Sequence, residues 1–468
     1  MAKNRVKGAK GIAKTSRLCY NKRMEMKLNL PQSLRKIKAM TQTPIYVVGG
    51  FVRNALCGLG ETDIDIAGPA IADALGLSQR FRTKVVNYKL GTAIIKYNDD
   101  TYEYTPFRIE KYNEGGEHTP SEVMFTTDLR QDALRRDFTC NSIYYDVEND
   151  KFIDPLGGIA DIQKKIIRSY NPARTFSSDG LRILRMIRIA VETGFKIDGE
   201  TAKCAQANAH LLRDISAERR RDELNRILVA DTKYGVKNAH YRGLRLIRQL
   251  GLWKYLIPQL EDGDGMAQNP LYHEYDVLEH INQTVKFSPP ELRLAALMHD
   301  VGKPYCMTKF GNMHGHEKVS ANIAKYTLGE YGLKYPNAVI DEVAWLCENH
   351  MYDMARNVKM GKLRIFVAQN FDKIEKLDAL INADNLARGK NDEIIPSRFI
   401  AVKQALIDEN APLSLGDLAL DGSVLIREGI QPVKIGGLLN ELWRTCVINP
   451  QLNNEEWLLE RVRKYAEE

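Results

Sequence analysis

Apolar residues follow two different spacings along this 468-residue chain, and the change falls near residue 175. Before it, short apolar runs alternate with turns. Ile45-Tyr46-Val47-Val48 reads as a strand, and Ile64-Asp65-Ile66 alternates as a half-buried strand does. Thr92 to Tyr97 and Thr101 to Phe107 flank Asn98-Asp99-Asp100, a hairpin signal, and Ser142 to Asp146 with Lys151 to Ile153 form a second pair. After it, only helical spacing appears: 177–194, 216–230, 235–250, 274–286, 290–300, 317–331, 338–349, 374–387 and 396–409. The pattern predicts an α+β multidomain chain, an α/β head followed by an all-α body. The length exceeds what one core supports. We divide it into a basic arm (1–30), the head (31–168), a helical neck (169–262), a further helical domain (263–395) and a helical tail (396–468). The polar break Glu261-Asp262-Gly263-Asp264-Gly265 marks the end of the neck.

The formal net charge is +7, yet residues 1–30 hold nine Lys or Arg and one acid. The remainder is close to neutral, so bulk charge does not assign nucleic acid to the folded body. The arm reads as a solvated or start-site extension, an RNA-contacting arm or a targeting segment. No stretch reaches the roughly 18 to 20 apolar residues of a membrane span, and the first 30 residues lack the apolar centre of a secretory signal. Seven scattered Cys without a C-x-x-C pair argue against a disulfide framework or structural zinc and fit a reducing, cytoplasmic setting. The oligomeric state is left open.

Val47-Val48-Gly49-Gly50-Phe51-Val52-Arg53-Asn54 is a strand entering a helix through two glycines. Such a join is often only a turn. It also lets a phosphate approach backbone amides at a helix N-terminus, with Arg53 as a fixed cation. Asp63-Ile64-Asp65 follows thirteen residues after Gly50. Positions i and i+2 of a strand share a face, so the two carboxylates are expected side by side and to want a cation between them. Oxygen ligands favour Mg²⁺, and a Mg²⁺ pair that orients a triphosphate is the two-metal logic of polymerases. Glu103, on the alternating segment Tyr102 to Arg108, is either a third carboxylate of that pocket or a solvent-facing residue.

These residues resemble the polymerase-β-type nucleotidyltransferase superfamily, and within it the bacterial class of tRNA CCA-adding enzymes and poly(A) polymerases. The likeness starts with Gly49-Gly50-x-Val52-Arg53 and Asp63-x-Asp65. It continues through Arg135-Arg136-Asp137-Phe138-Thr139-Cys140-Asn141-Ser142, Asp154-Pro155-Leu156-Gly157-Gly158, Ser178-Asp179-Gly180-Leu181-Arg182 to Arg188, and Ile215 to Leu224. The resemblance implies that Asp63 and Asp65 hold Mg²⁺. It implies that Gly49, Gly50 and Arg53 cradle the triphosphate, that Asp179 and Arg182 select the base, and that Arg136, Asp137, Arg185 and Arg188 complete the nucleotide site. Read physically, Arg182, Arg185 and Arg188 recur every three residues as a stripe, with Asp179 one turn ahead of Arg182 on the same helix. Ser178 stands where the family usually has Glu, and Asn54 where it usually has an acid, which bears on nucleotide strictness more than on reaction type.

Six of the nine His lie between residues 273 and 350. Adjacent His299-Asp300 at the end of an apolar helix, with His and Asp from other helices, make a mixed N/O site for a divalent transition metal. This segment resembles the HD phosphohydrolase superfamily. The resemblance implies ligands His280, His299, Asp300 and Asp384, with His316 and His350 as extras, for Ni²⁺, Mn²⁺ or a similar ion. It leaves two readings open: an active phosphohydrolase acting on 2′,3′-cyclic phosphates or phosphate monoesters, or a helical RNA-binding scaffold with a relict site. The expected function is CCA addition to tRNA 3′ ends from CTP and ATP. The alternatives are a poly(A) or A-only adding enzyme, a chain that is mainly an HD phosphohydrolase acting on RNA ends, or a non-catalytic RNA-binding protein.

Overall fold

The computed structural model describes residues 26–60, 62–72, 81–112, 120–389 and 397–467. The basic arm lies almost wholly outside the described residues. The chain forms two compact units, one of residues 1–258 with 332–334 and one of 259–331 with 335–468.

The first unit is built on a seven-stranded sheet in the order β3-β4-β5-β2-β1-β8-β9. The strands are β1 (Tyr46–Val48), β2 (Asp65–Gly68), β3 (Arg82–Asn87), β4 (Thr92–Tyr97), β5 (Asp100–Pro106), β8 (Tyr144–Asp146) and β9 (Lys151–Ile153). β6 (Arg108–Lys111) and β7 (Glu122–Phe125) form a separate antiparallel hairpin that the spacing did not announce. β1 is apolar throughout because it is central: it pairs with β2 on one side (Val48↔Asp65) and β8 on the other (Val48↔Tyr144). β2 pairs in parallel with β5, setting Asp65 opposite Glu103. One face buries Val48, Ala67, Phe107, Ala133 and Tyr144. The Phe107 ring meets Tyr144 edge-on at 5.8 Å and stacks on Tyr46 at 5.7 Å.

Helices follow as the spacing expects, with one interruption. The run expected over 177–194 is two helices, Pro172–Ser178 and Leu181–Thr193. Asp179 between them is extended, at φ −155° and ψ 105°. Gly180 is pressed against the next segment, where a Cβ would sit 2.8 Å from the Leu211 carbonyl oxygen. Leu181–Thr193 packs with Ala217–Leu228 and Ala239–Gln249 around Val191, Ala230 and Ala239.

The second unit is helical. Val277–Phe287, Arg293–Met298, His316–Leu328, Asn337–Asn349 and Ile374–Leu386 surround a centre containing Ala296, Leu297, Met298, Leu346 and Leu380, all nearly inaccessible. Met360–Gln369, Pro432–Ile448 and Glu455–Glu467 are further helices that the spacing did not single out. No helix among the described residues is long and apolar enough to cross a membrane.

Candidate active sites

In the first unit β1 ends at Val48 and the chain turns through Gly49 at φ +85°, a conformation that glycine adopts without a Cβ clash. The helix Gly50–Cys57 starts at once, so its free amides open onto the sheet edge where Asp65 stands. A cleft of about 690 Å³ there is lined by Gly49, Gly50, Arg53, Asp63, Asp65, Arg136, Asp137, Arg185 and Arg188. Thr62, Asn141, Arg226 and Lys233 line it too and were not anticipated.

The expectation that Asp63 and Asp65 share a strand face is corrected. β2 begins at Asp65, and Asp63 lies in the loop before it. The rung Val48↔Asp65 is the last because β1 gives way to the Gly49 turn and leaves Asp63 no strand partner. Both carboxylates still reach the cleft. Asp65 is open to the cleft yet walled by protein. Burial by those walls, then the charges of Glu103 and Asp63, push its carboxyl up to about 6, with Arg136 and Arg185 pulling the other way. Carboxylates whose charges raise Asp65 in this way suit a cation. Among the described residues they form no closed ligand set, as fits an ion whose coordination is completed by substrate phosphates and water.

A hydrogen-bonded chain runs along the cleft. The Arg185 guanidinium donates twice to Asp137 Oδ2, at 2.8 and 3.1 Å. Asn141 Nδ2 donates to Asp137 Oδ1 at 3.0 Å, and Arg53 Nη1 donates to Asn141 Oδ1 at 2.8 Å. Burial alone would raise Asp137, but Arg185 and Asn141 outweigh it and hold the carboxyl far below its usual range. Arg53 is nearly inaccessible as a residue and, among the described residues, bonds neutral carboxamides, Asn141 and Asn54, so its charge is available to an anion. Asn141 could have been found from the sequence, since it sits in the Arg135 to Ser142 motif.

Two further expectations change. Asp179 does not pair with Arg182. Its carboxylate accepts from the Leu181 amide at 3.0 Å and meets Arg219 at 3.4 Å, because the helix break turns it away. Arg182 donates instead to Ser178 Oγ at 3.1 Å and to the Arg135 carbonyl at 3.2 Å. The Arg182-Arg185-Arg188 stripe also divides: Arg188 is buried and donates to Glu223 at 2.7 Å, with Glu192 at 3.3 Å. Its charge is engaged by protein, while that of Arg226 reaches Glu223 only at 3.6 Å from a largely exposed side chain.

Arg136 is held under the cleft by Asp132 and the Tyr144 hydroxyl, at 3.1 and 3.0 Å. Asp132 is fully buried and also takes Arg135 at 2.7 Å. Burial by itself raises this carboxyl, but Arg136 and Arg135 overcome it and hold it at about 2. The folded value is depressed, so its stabilisation is complete above the unfolded carboxylate range and is lost as pH falls through that range toward 2. Asp132→Ala takes the carboxylate from Arg136 and, among the described residues, leaves Arg135 with Glu110 alone, at 3.4 Å. It is expected to cost about 3–5 kcal/mol, read as a lowered midpoint in thermal or urea unfolding. An unchanged midpoint would remove Asp132 from this role.

The second unit brings all six expected groups together. His280, His299, Asp300 and Asp384 offer ligand atoms within 4.8 Å of one another, and so do Asp300, His316 and His350. All are buried. Asp300 Oδ2 lies 3.2 Å from both His280 Nε2 and His299 Nε2, and Oδ1 lies 3.0 Å from His316 Nε2 and 3.6 Å from His350 Nε2. Each imidazole turns its other nitrogen to a backbone carbonyl: His299 to Ala296, His316 to Met313, His350 to Cys347 and His280 to Ala387. Donation through Nδ1 leaves the Nε2 lone pairs converging on Asp300. His280 Nε2, His299 Nε2 and both Asp300 oxygens are buried without a well-formed hydrogen bond. Burial would raise Asp300; His299 and Lys303 instead hold it well below the carboxylate range. This donor set fits a divalent metal.

Comparison with known proteins adds to this geometry. Residues 45–168 match the poly A polymerase head domain, 194–263 a probable RNA and SrmB-binding site of polymerase A, and 275–393 the HD domain. A CCA-adding enzyme of Geobacillus stearothermophilus is 35% identical over 434 residues, covering 89% of this chain and 93% of the relative. One from Bacillus pumilus is 40% identical over 184 residues, and that alignment spans 39% of this chain and less than half, 45%, of the relative. Among solved structures, the CCA-adding enzyme of Bacillus stearothermophilus in complex with CTP aligns with a TM-score of 0.64 at 24% identity. It covers 93% of this chain and 98% of that one, a likeness of fold.

Proposed function

The chain belongs to the family of CCA-adding enzymes, and from that premise we propose that it adds C, C and A to tRNA 3′ ends, using CTP and ATP and no nucleic-acid template. One observation supports this reading most: the amides at Gly49 and Gly50, the free charge of Arg53, and Asp63 and Asp65 all face one cleft. That is a cradle for a triphosphate beside a carboxylate pair. Mg²⁺, held by Asp63 and Asp65, would neutralise the triphosphate and lower the barrier to attack by a hydroxyl. The RNA 3′-oxygen bonds to the α-phosphorus as the bond to the β-phosphate oxygen breaks, pyrophosphate leaves and the hydroxyl proton passes to solvent. Glu103, opposite Asp65 on the neighbouring strand, is the third acid of the set. Arg53 and the helix amides bind the departing phosphates. Arg185, fixed by Asp137, and Arg136, fixed by Asp132, keep positive potential on the wall facing the nucleotide. We assign base selection to Asp179 and Arg182, whose carboxylate oxygens and terminal nitrogens already have protein partners that an incoming base must share.

In the second unit we assign His280, His299, Asp300, Asp384, His316 and His350 to a divalent ion such as Ni²⁺ or Mn²⁺, which would supply an activated water for phosphate ester hydrolysis. The residues' own part is to hold lone pairs at Nε2 and exclude competing donors. The setting is cytoplasmic.

A gel with tRNA ending before, within and after CCA, given each nucleotide separately, tests the main reading. CTP should extend the shortest RNA by two residues and ATP should complete it with one. Long tails from ATP alone would replace this reading with poly(A) addition, and A-only extension with an A-adding enzyme.

A further inference from the structure

Two side chains outside the ligand set stand at the mouth of the second site. His273 and Arg388 line the same cavity of about 230 Å³ as Asp300, His316, His350 and Asp384. Backbone bonds hold them there. The Glu274 amide, next to His273, donates to the carbonyl of Arg388 itself at 2.9 Å. One residue earlier, the Ala387 carbonyl accepts from the ligand His280 at 3.3 Å. The His273 ring sits edge-on to His280, 4.7 Å between centroids. The two residues are therefore fixed to each other and to the metal cluster by main chain.

Each has a nitrogen that no group among the described residues engages. Arg388 Nε and His273 Nδ1 are both buried without a hydrogen-bond partner among the described residues. Leaving such groups unmade is costly and marks a place where a ligand supplies the acceptor. Lys303 on the same cavity differs, since it is bound to Asp300 and donates to Gln268 at 2.8 Å. A guanidinium presents a planar fork of donors matched to two oxygens of a phosphate, a geometry that an ammonium lacks.

We propose that Arg388 and His273 form a phosphate clamp over the metal cluster, making the ligand of this site a terminal phosphate ester whose unesterified oxygens are held by the Arg388 fork and the His273 ring. The proposal rests on reading the second unit as a metal-dependent phosphohydrolase. Arg388 is a substrate-binding residue, and the metal ligands do not depend on it.

The test uses the full chain with Asp63→Ala and Asp65→Ala, to disable the first cleft, loaded with Mn²⁺. Inorganic phosphate binding is measured by calorimetry and metal content by elemental analysis. Adding Arg388→Ala should weaken phosphate at least about tenfold, with metal content and unfolding midpoint unchanged. Arg388→Lys should restore part of the affinity, and His273→Ala should weaken it severalfold. Equal phosphate affinity in Arg388→Ala overturns the clamp and leaves the metal reading standing. Loss of metal in Arg388→Ala also overturns it, because Arg388 would then serve the ligands. A parent chain that takes up no metal in this unit overturns the phosphohydrolase reading and the clamp together.

Discussion

Asp65→Ala lowers nucleotide addition at least about 1,000-fold at saturating tRNA and nucleotide, a loss of about 4 kcal/mol of transition-state stabilisation, with tRNA retention on filters unchanged. The size follows from position. Asp65 opens the strand next to the Gly49 turn and pairs with the strand bearing Glu103, so no other carboxylate takes its place. Its raised value sets a pH dependence as well. The ion binds the ionised carboxylate and competes with the proton. Mg²⁺ affinity is therefore full above about 6 and falls roughly tenfold per pH unit below it. Titration of Mn²⁺ against apoprotein carrying Asp300→Asn, which removes the second metal site, reads this across pH 4.5 to 8, and adding Asp65→Ala should abolish the dependence centred on about 6. A variant that keeps a tenth of the parent rate would remove Asp65 from the metal site.

Asp300→Asn strips the second unit of its metal and lowers phosphate ester hydrolysis at least about 100-fold, while nucleotide addition holds its parent rate. One carboxylate serves both groups of histidines, with one oxygen to each. The same change takes the charge partner from Lys303, a buried ion pair whose loss costs about 3–5 kcal/mol. His316→Gln separates the two effects, because it removes one ligand and leaves Asp300 with Lys303. Metal retained at the parent level in both variants would sink the assignment. A fall in nucleotide addition in either would tie the two activities together.

Much of this was legible along the chain because it is local. The β1-Gly49-Gly50-helix join, the β4–β5 hairpin and the helical runs of the second unit are patterns of neighbours, and the structure places them within a few residues. His299-Asp300 was legible for the same reason. What local pattern does not carry is partnership over distance. Nothing near Arg188 announces Glu223, and nothing near Asp179 announces Arg219, 40 residues on. Both pairings follow from helix packing, which redistributed an arginine stripe that periodicity placed on one face. Asp63 left its expected strand because strand length is set by the partner, and β1 stops one residue before the turn. The β6–β7 hairpin was missed because Arg108, Glu110, Lys111 and Glu122 give it little apolar alternation, and the buried Arg108–Glu110–Arg135 ion pairs stabilise it instead.

The place of β1 in the middle of the sheet has a consequence for the growing polypeptide. Its neighbour β2 leaves the ribosome soon after it, but its other neighbour, β8, ends at Asp146, about a hundred residues later. Until then one edge of Tyr46–Val48 offers unpaired amides and carbonyls on an apolar strand, the kind of edge that recruits a second chain. Fragments ending between residues 112 and 140 should therefore aggregate and bind no nucleotide. Aggregation should vanish once the chain extends past β9, whereas nucleotide binding should wait until Arg185 completes the cleft, so the closing of the sheet comes before the first binding of nucleotide.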